Sequence, residues 1–314
     1  MNNNEKTKKV CVLMSTYNGS KYIDEQIDSL FKNKDVSLTL FVRDDGSTDS
    51  TVDHILRYRE KYPEKVYLTR GSNVGFMKSF MGLLDHAPKD FDYYAFCDQD
   101  DVWMPDKLIK AIEKIESVSG CATYCSSETY VDEHLNKIDG IYSNLDELPT
   151  GWFKAQWSLS VSLVGLGCTF VWNKAMQDEI NKVRISGLKF GHDQFISILA
   201  PLVGKLYRDG ESHILYRQHS NNTGEKRYKN KYSISRILKR IFSREHDNDN
   251  LKIRKFIYAH YDNVPEKNRR LLKYSIDYRT NVISMFKMLK VNYAKGLNKK
   301  EEQKFFIQTL LHKL

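Results

Sequence analysis

The sequence predicts an α/β domain built on a mostly parallel sheet, followed by a helical, basic extension. Apolar runs of strand length alternate with helix-patterned stretches through the first 126 residues, and such alternation builds parallel sheets covered on both faces. Four of the apolar stretches run into polar clusters, Ser15–Gly19, Asp44–Thr48, Arg70–Gly75 and Asp98–Trp103. Ligands of parallel sheets gather at the carboxyl ends of the strands, where these clusters fall. From about residue 228 the chain becomes rich in Lys, Arg and Tyr, with helical patterning. The expected division is an α/β domain over residues 1–224 and the extension over 225–314.

The elements follow in order. Val10–Met14 reads as a buried strand, and Tyr22, Ile23, Gln26, Ile27, Leu30 and Phe31 keep helical spacing with one apolar face. Leu38–Val42 is the next strand. Asp44-Asp45-Gly46-Ser47 ends it with turn chemistry, and Thr48 or Asp49 can cap the helix that carries Val52, Ile55 and Leu56. Val66–Leu68 is a third strand, Phe76–Leu84 a third helix and Tyr93–Cys97 a fourth strand. Pro105 and Asp106 open a helix with Leu108, Ile109, Ile112 and Ile115, and Cys121–Cys125 reads as another strand. Residues 127–222 are mixed in pattern.

The 314 residues are 41% hydrophobic, with only six prolines, which supports a sizeable core and excludes a disordered chain. The net charge of +9 points to anionic partners without choosing among nucleic acid, an anionic membrane surface and phosphorylated substrates. The five cysteines, Cys11, Cys97, Cys121, Cys125 and Cys168, read as buried free thiols of a reducing compartment. No signal peptide is visible and no apolar stretch reaches the ~18 residues of a membrane span. The expected location is the cytoplasm, with room for a peripheral position on the inner face of the membrane.

Candidate chemistry sits at the strand ends. Asp98 and Asp100 are two apart, so in extended backbone they point the same way. Two carboxylates aimed together suit a divalent cation, Mg²⁺ or Mn²⁺, whose shell substrate phosphates complete; the alternative is an acidic turn capping the helix near Asp106. Asp44 and Asp45 can accept from a base N–H or ribose hydroxyls, or merely form an Asp-Gly turn. Asn73-Val74-Gly75 precedes a helix whose N-terminus favours phosphate, and Lys78 on it can reach a diphosphate or simply be solvated. Asp193, after the loop Gly187–Gly191, is a candidate general base or an N-cap. His219 follows the apolar strand Ile214–Tyr216.

Taken together, Val10–Gly19, Arg43-Asp44-Asp45-Gly46-Ser47-Thr48-Asp49, Asn73-Val74-Gly75 and Cys97-Asp98-Gln99-Asp100-Asp101-Val102-Trp103 with Pro105, Lys107 and Leu108 resemble the family 2 glycosyltransferases, over about residues 8–224. The resemblance implies the GT-A fold, a nucleotide-binding α/β sandwich. The Asp-Gln-Asp-Asp-Val-Trp form, with His192-Asp193 and Tyr216-Arg217-Gln218-His219, is similar to bacterial rhamnosyltransferases of cell-wall polysaccharides. Carried over, Thr16 and Tyr17 line the base pocket, and Asp44 or Asp45 holds the base. Asp98 and Asp100 match the metal motif, Asp193 the catalytic base, and His219 a contact to metal or diphosphate. One departure is Gln194, where many rhamnosyl relatives carry Trp.

The expected function is therefore an inverting sugar transfer, with L-rhamnose from dTDP-L-rhamnose as donor and a carbohydrate or lipid-linked glycan as acceptor. A UDP-hexose donor on the same fold is the competing reading. A nucleic-acid partner is not expected, because acidic strand ends repel phosphate unless a metal intervenes. In the extension, Ile234, Ile237, Leu238, Ile241 and Phe242 keep i, i+3, i+4, i+7, i+8 spacing among Lys229, Lys231, Arg236, Lys239, Arg240 and Arg244. That basic amphipathic pattern suits an anionic membrane or a packed helix with a solvated basic face.

Overall fold

The computed structural model describes residues 7–140, 143, 145–161, 163–219 and 246–310. Its centre is a nine-stranded sheet in the order β3-β2-β1-β4-β8-β6-β9-β5, with β7 also paired to β9. The strands are β1 (Lys8–Thr16), β2 (Val36–Asp44), β3 (Val66–Arg70), β4 (Tyr93–Cys97), β5 (Val102–Trp103), β6 (Ala122–Val131), β7 (Gly151–Phe153), β8 (Val171–Asn173) and β9 (Lys205–Arg217). Helices α1 (Ile23–Leu30), α2 (Thr51–Lys61), α3 (Phe76–Asp85) and α4 (Lys107–Ile115) alternate with the first strands. Then come α5 (Ala155–Ser158), α6 (Lys174–Ile180) and α7 (His192–Val203).

The parallel half of the sheet is the part the alternation predicts: β1 pairs in parallel with both β2 and β4, and β2 with β3. Beyond β4 the sheet is mixed. β8 runs antiparallel to β4 and β6, while β6 and β9 pair in parallel. The central strands β1 and β4 are buried on both faces, Val10 to Met14 at 1% exposure or less, as strands covered by helices on both sides must be. One apolar cluster joins Val10, Val12, Met14, Ile23, Ile27, Leu40 and Ile112 beneath α1 and α4. The other lies under α3 and α7. All five cysteines are free, four of them buried.

The C-terminal helices are α8 (His246–His260), α9 (Glu266–Asp277), α10 (Val282–Val291) and α11 (Lys299–Leu310). Ile253, Ile257, Tyr261, Leu272, Tyr293 and Phe305 belong to the same apolar cluster as Leu159, Phe195 and Ile198. Polar ties run across as well. Arg254 donates to the Leu159 carbonyl at 2.8 Å and the Trp157 indole to the Lys295 carbonyl at 2.9 Å. The expected 224/225 boundary and the basic stretch Ile234–Phe242 lie outside the described residues. Among those described, no helix is long and apolar enough to cross a membrane.

Candidate active site

Parallel strands finish on one edge, and register aligns their ends here: Thr16 lies opposite Asp44, and Met14 opposite Cys97. The loops that follow β1, β2 and β4 are bound to one another. Asn18 adopts a positive φ of 48° and donates its backbone N–H to the Ser47 hydroxyl, while its side chain accepts from the Thr48 N–H at 2.8 Å. Gln99 accepts from the Tyr17 N–H at 2.9 Å and donates to the Tyr17 carbonyl at 3.1 Å. That two-point clamp ties the expected base-pocket loop to the acidic loop. A Cβ at residue 19 would lie 2.3 Å from Gln99 Oε1, so Gly19 is what allows the close approach.

The two aspartates after β2 have separate tasks. Asp44, 1% exposed, accepts from the Thr16 hydroxyl at 3.1 Å and from the N–H groups of Gly46 and Ser47 at 3.2 and 3.0 Å. Gly46 takes the positive φ of 85° that the Asp-Gly turn needs. Asp45 accepts from Arg43 at 2.5 Å and from the N–H groups of Val74 and Gly75 at 3.0 and 2.8 Å. The N–H groups just before α3 are thus engaged by a protein carboxylate, and Asn73-Val74-Gly75 is held against β2. Arg43 extends the tie by donating to the Ser79 hydroxyl at 2.9 Å. Lys78 stands on the first turn of α3, partly exposed.

Asp98, Asp100 and Asp101 follow β4 at once. Asp100 Oδ2 lies 2.8 Å from His219 Nε2, and the His219 ring packs on Tyr22 with centroids 4.8 Å apart. Asp101 is fully buried and accepts from the Arg217 N–H at 3.1 Å. Arg217 in turn donates to the Asp100 carbonyl at 2.8 Å and sits over the Tyr22 ring at 4.6 Å. The carboxylates crowd. Burial, then the charge of Asp100, and further on that of Asp193, push Asp98 up to about 7. Asp101 is also held above the usual carboxylate range, by burial and by Asp100 and Asp98.

Asp98, Asp101 and Cys168 have donor atoms within 4.8 Å of one another. Burial keeps the Cys168 thiol well above its ordinary value, and the charges of Asp101 and Asp98 raise it further. A protonated thiol does not suit a hard cation, so this trio reads as a buried polar cluster under the loop. The carboxylate–imidazole pair of Asp100 and His219, with Asp98 beside Asp100, offers oxygen and nitrogen donors that fit Mg²⁺ or Mn²⁺. A cation there would offset the Asp100 charge that, after burial, pushes Asp98 up.

Asp193 occupies the first turn of α7, where the helix end accommodates a carboxylate. It is close enough to the acidic loop for its charge to act on Asp98. His192 before it is buried, stacked on Phe80 at 4.1 Å and edge-on to Phe96 at 4.7 Å. Burial lowers its pKa, so the ring is a neutral packing group that joins α3 to α7. The structure therefore brings Thr16, Asp44, Asp45, Asn73 and Gly75 together through hydrogen bonds, and Asp98, Asp100, Asp193 and His219 around the acidic loop. Arg43, Gln99, Cys168 and Arg217 escape sequence reasoning about roles. Their partners lie on other loops, and only Arg43, two residues before Asp45, carries a local signal.

An α/β sheet edge with an Asp-x-Asp loop and a carboxylate at the start of a neighbouring helix is the arrangement of the glycosyltransferase class. The family model described as Glycosyl transferase family 2 matches residues 11–165. The dTDP-rhamnosyl transferase RfbG of Shigella flexneri is 30% identical over 218 residues, covering 67% of this chain and 72% of that protein. The chain belongs to glycosyltransferase family 2. An uncharacterized glycosyltransferase of Nostoc is 30% identical over 142 residues, 45% of this chain and 41% of that protein. In fold, the chain resembles S. aureus TarS 1–349, with a TM-score of 0.54 and 19% identity over 96% of this chain and 79% of that one. It also resembles the mannosyltransferase PcManGT of Pyrobaculum calidifontis, solved with GDP-Man and Mn²⁺, with a TM-score of 0.50 and 14% identity over 98% and 88% of the two chains.

Proposed function

We propose that this glycosyltransferase moves L-rhamnose from dTDP-L-rhamnose to a lipid-linked cell-wall or capsular glycan, inverting the anomeric centre and using a divalent cation. The donor reading is carried by the similarity to the dTDP-rhamnosyl transferase RfbG over 72% of that protein. The base of the nucleotide fits the loop that Asp44, Thr16 and the Tyr17–Gln99 clamp hold, and Lys78 is free to reach the diphosphate from α3. Asp100 and His219, with Asp98, would hold the cation, as the Mn²⁺ in the similarly folded PcManGT supports. When bound, it offsets the negative charge of the departing diphosphate.

The chain's own groups carry the remaining chemistry. The acceptor hydroxyl oxygen attacks the anomeric carbon as the bond from that carbon to the diphosphate oxygen breaks. Asp193 takes the hydroxyl proton as the new bond forms. A single displacement on a β-linked rhamnosyl donor yields an α-linked product. The test measures nucleotide release from dTDP-L-rhamnose, UDP-glucose and UDP-N-acetylglucosamine side by side, with a lipid-linked acceptor and Mn²⁺. Preference for dTDP-L-rhamnose supports the reading. Preference for a UDP-sugar replaces the donor and keeps the fold and base assignment, since TarS of similar fold was solved with UDP-GlcNAc.

A further inference from the structure

We propose that the outer face of α10 docks the enzyme on an anionic membrane surface. α10 reads Val-Ile-Ser-Met-Phe-Lys-Met-Leu-Lys-Val. Apolar residues on every side mark a helix that is covered on every side. Only one side of α10 meets the protein, through the buried Ser284 and Met288, while Val282, Ile283 and Phe286 are 61%, 66% and 61% exposed. The next helix, α11, packs against α10 and presents Phe306, Ile307 and Leu310, also exposed. Single exposed apolar residues are ordinary, but six large ones on two touching helices need a cover.

Charge selects the cover. Between Asp277 and Glu301 the chain holds no acidic residue and six basic ones: Arg279, Lys287, Lys290, Lys295, Lys299 and Lys300. Lys300 is engaged by Glu147 at 3.0 Å. Lys287 and Lys290 stand one helical turn beyond Ile283 and Phe286, in the geometry of side chains that share a helix face. The acids that open α11 are committed: Glu301 pairs with Lys304 at 3.0 Å, and Glu302 accepts from the Gly296 N–H at 2.8 Å. A second copy of the chain fits poorly. A twofold contact sets a patch against itself, which here brings lysines together with no carboxylate between them. Lys287, whose ammonium lies 4.8 Å over the Tyr274 ring, and Lys290 have no carboxylate partner among the described residues, and aliphatic and aromatic side chains flanked by such lysines match an acyl boundary beneath anionic headgroups. The face is built from residues other than Ile234–Phe242, and it does not depend on the donor or the catalytic base.

Flotation of the full chain tests the proposal, using vesicles of phosphatidylcholine alone and of phosphatidylcholine with about 30% phosphatidylglycerol. The wild type is expected to float with the anionic vesicles, less so as salt rises, and weakly with the neutral ones. The double variants Ile283→Ser/Phe286→Ser and Lys287→Glu/Lys290→Glu should each lower partitioning about tenfold or more. No binding by the wild type overturns the proposal. So does wild-type flotation by both variants, which would move the contact elsewhere in the chain. A wild-type dimer in solution that Ile283→Ser/Phe286→Ser dissociates, without vesicle binding, assigns the face to self-association instead. Donor hydrolysis in vesicle-free solution should stay at the wild-type rate in both variants. Failure of the catalytic reading is thereby distinguishable from failure of this one.

Discussion

The imidazole Nε2 of His219 and the carboxylate Oδ2 of Asp100 lie 2.8 Å apart, a contact between the residues after β9 and the loop after β4. The partners are 119 residues apart in the chain. Arg217 braces the same junction from beneath through the Asp100 carbonyl and the Asp101 carboxylate. A hydrogen-bonded oxygen–nitrogen pair of this kind is able to open onto a cation without rearranging the backbone.

Removing either member should therefore expose a metal dependence. Asp100→Ala and His219→Ala are each expected to lose about 10²-fold or more in turnover, and the remaining activity should need more Mn²⁺ for half-saturation. Turnover measured against a Mn²⁺ titration checks this. Full activity of Asp100→Ala, or of the wild type in excess EDTA, would remove the cation from the reaction.

Asp193 stands on the first turn of α7 and acts on Asp98 through its charge. Asp193→Asn keeps size and polarity but removes the proton acceptor. It should lose about 10²-fold or more in turnover, with donor affinity by calorimetry within a few-fold of wild type. Near-normal turnover would free Asp193 of the role, and a product of retained configuration by NMR would overturn single displacement.

The readable part of the fold was its parallel half. β1 and β4 are buried on both faces, β2 alternates buried and half-buried residues, and helices with one apolar stripe separate the strands, so local pattern and final burial agree. The second half resists the same reading. β9 runs for 13 residues through Arg208, Asp209 and Glu211, which hide any period. Yet Arg208 is buried because its guanidinium donates to the carbonyls of Leu145 and Leu148. β5 spans only Val102–Trp103, too short to leave a pattern. In the site, the carboxylates were visible because acids in sequence have few structural reasons to cluster. Gln99, Cys168 and Arg217 were not, since each acts on a residue brought near only by the sheet. Asp193 itself stood out through the family resemblance, because an aspartate at the start of a helix is also an ordinary cap.

The His192 ring links α3 to α7, and Gly167 makes room for it. A Cβ at residue 167 would sit 2.3 Å from His192 Nε2, while Phe80 and Phe96 leave the ring no easy retreat. Gly167→Ala should destabilise the protein by about 1–3 kcal/mol in urea unfolding. It should also depress kcat more than donor KM, because displacing His192 displaces Asp193. Because burial lowers the His192 pKa, the unfolded chain takes its proton first as pH falls. The contribution of the neutral ring to stability is present above pH 6.5 and is lost below it. His192→Phe should remove that acid-side loss. An unchanged kcat in a folded Gly167→Ala would break the link between the ring and the base.

Lys107 supplies the alkaline counterpart. Its side chain is fully buried, and among the described residues Nζ has no hydrogen-bond partner. The Trp103 ring lies 4.7 Å below it, a cation–π contact that only partly replaces water. Burial drives its pKa down to about 8, against the smaller upward pull of Cys168, Cys97 and Asp101. The displacement from 10.5 to about 8 corresponds to about 3 kcal/mol held against the folded state when the lysine is charged. Here the folded pKa is the lower one, so between about 8 and 10.5 the unfolded chain binds the extra proton. Stability therefore rises with pH across that window and loses this contribution as pH falls toward 8. The cysteines and tyrosines of the unfolded chain titrate in the same range, and only the difference between two proteins isolates the lysine. Lys107→Met keeps the length of the stem and removes the charge. Urea unfolding should find the variant more stable than wild type at pH 7, with the gap narrowing steadily from pH 8 to 10. A gap independent of pH would mean that Lys107 keeps an ordinary pKa. A variant less stable at pH 7 would mean that the buried cation is held by its anionic neighbours more strongly than burial opposes it.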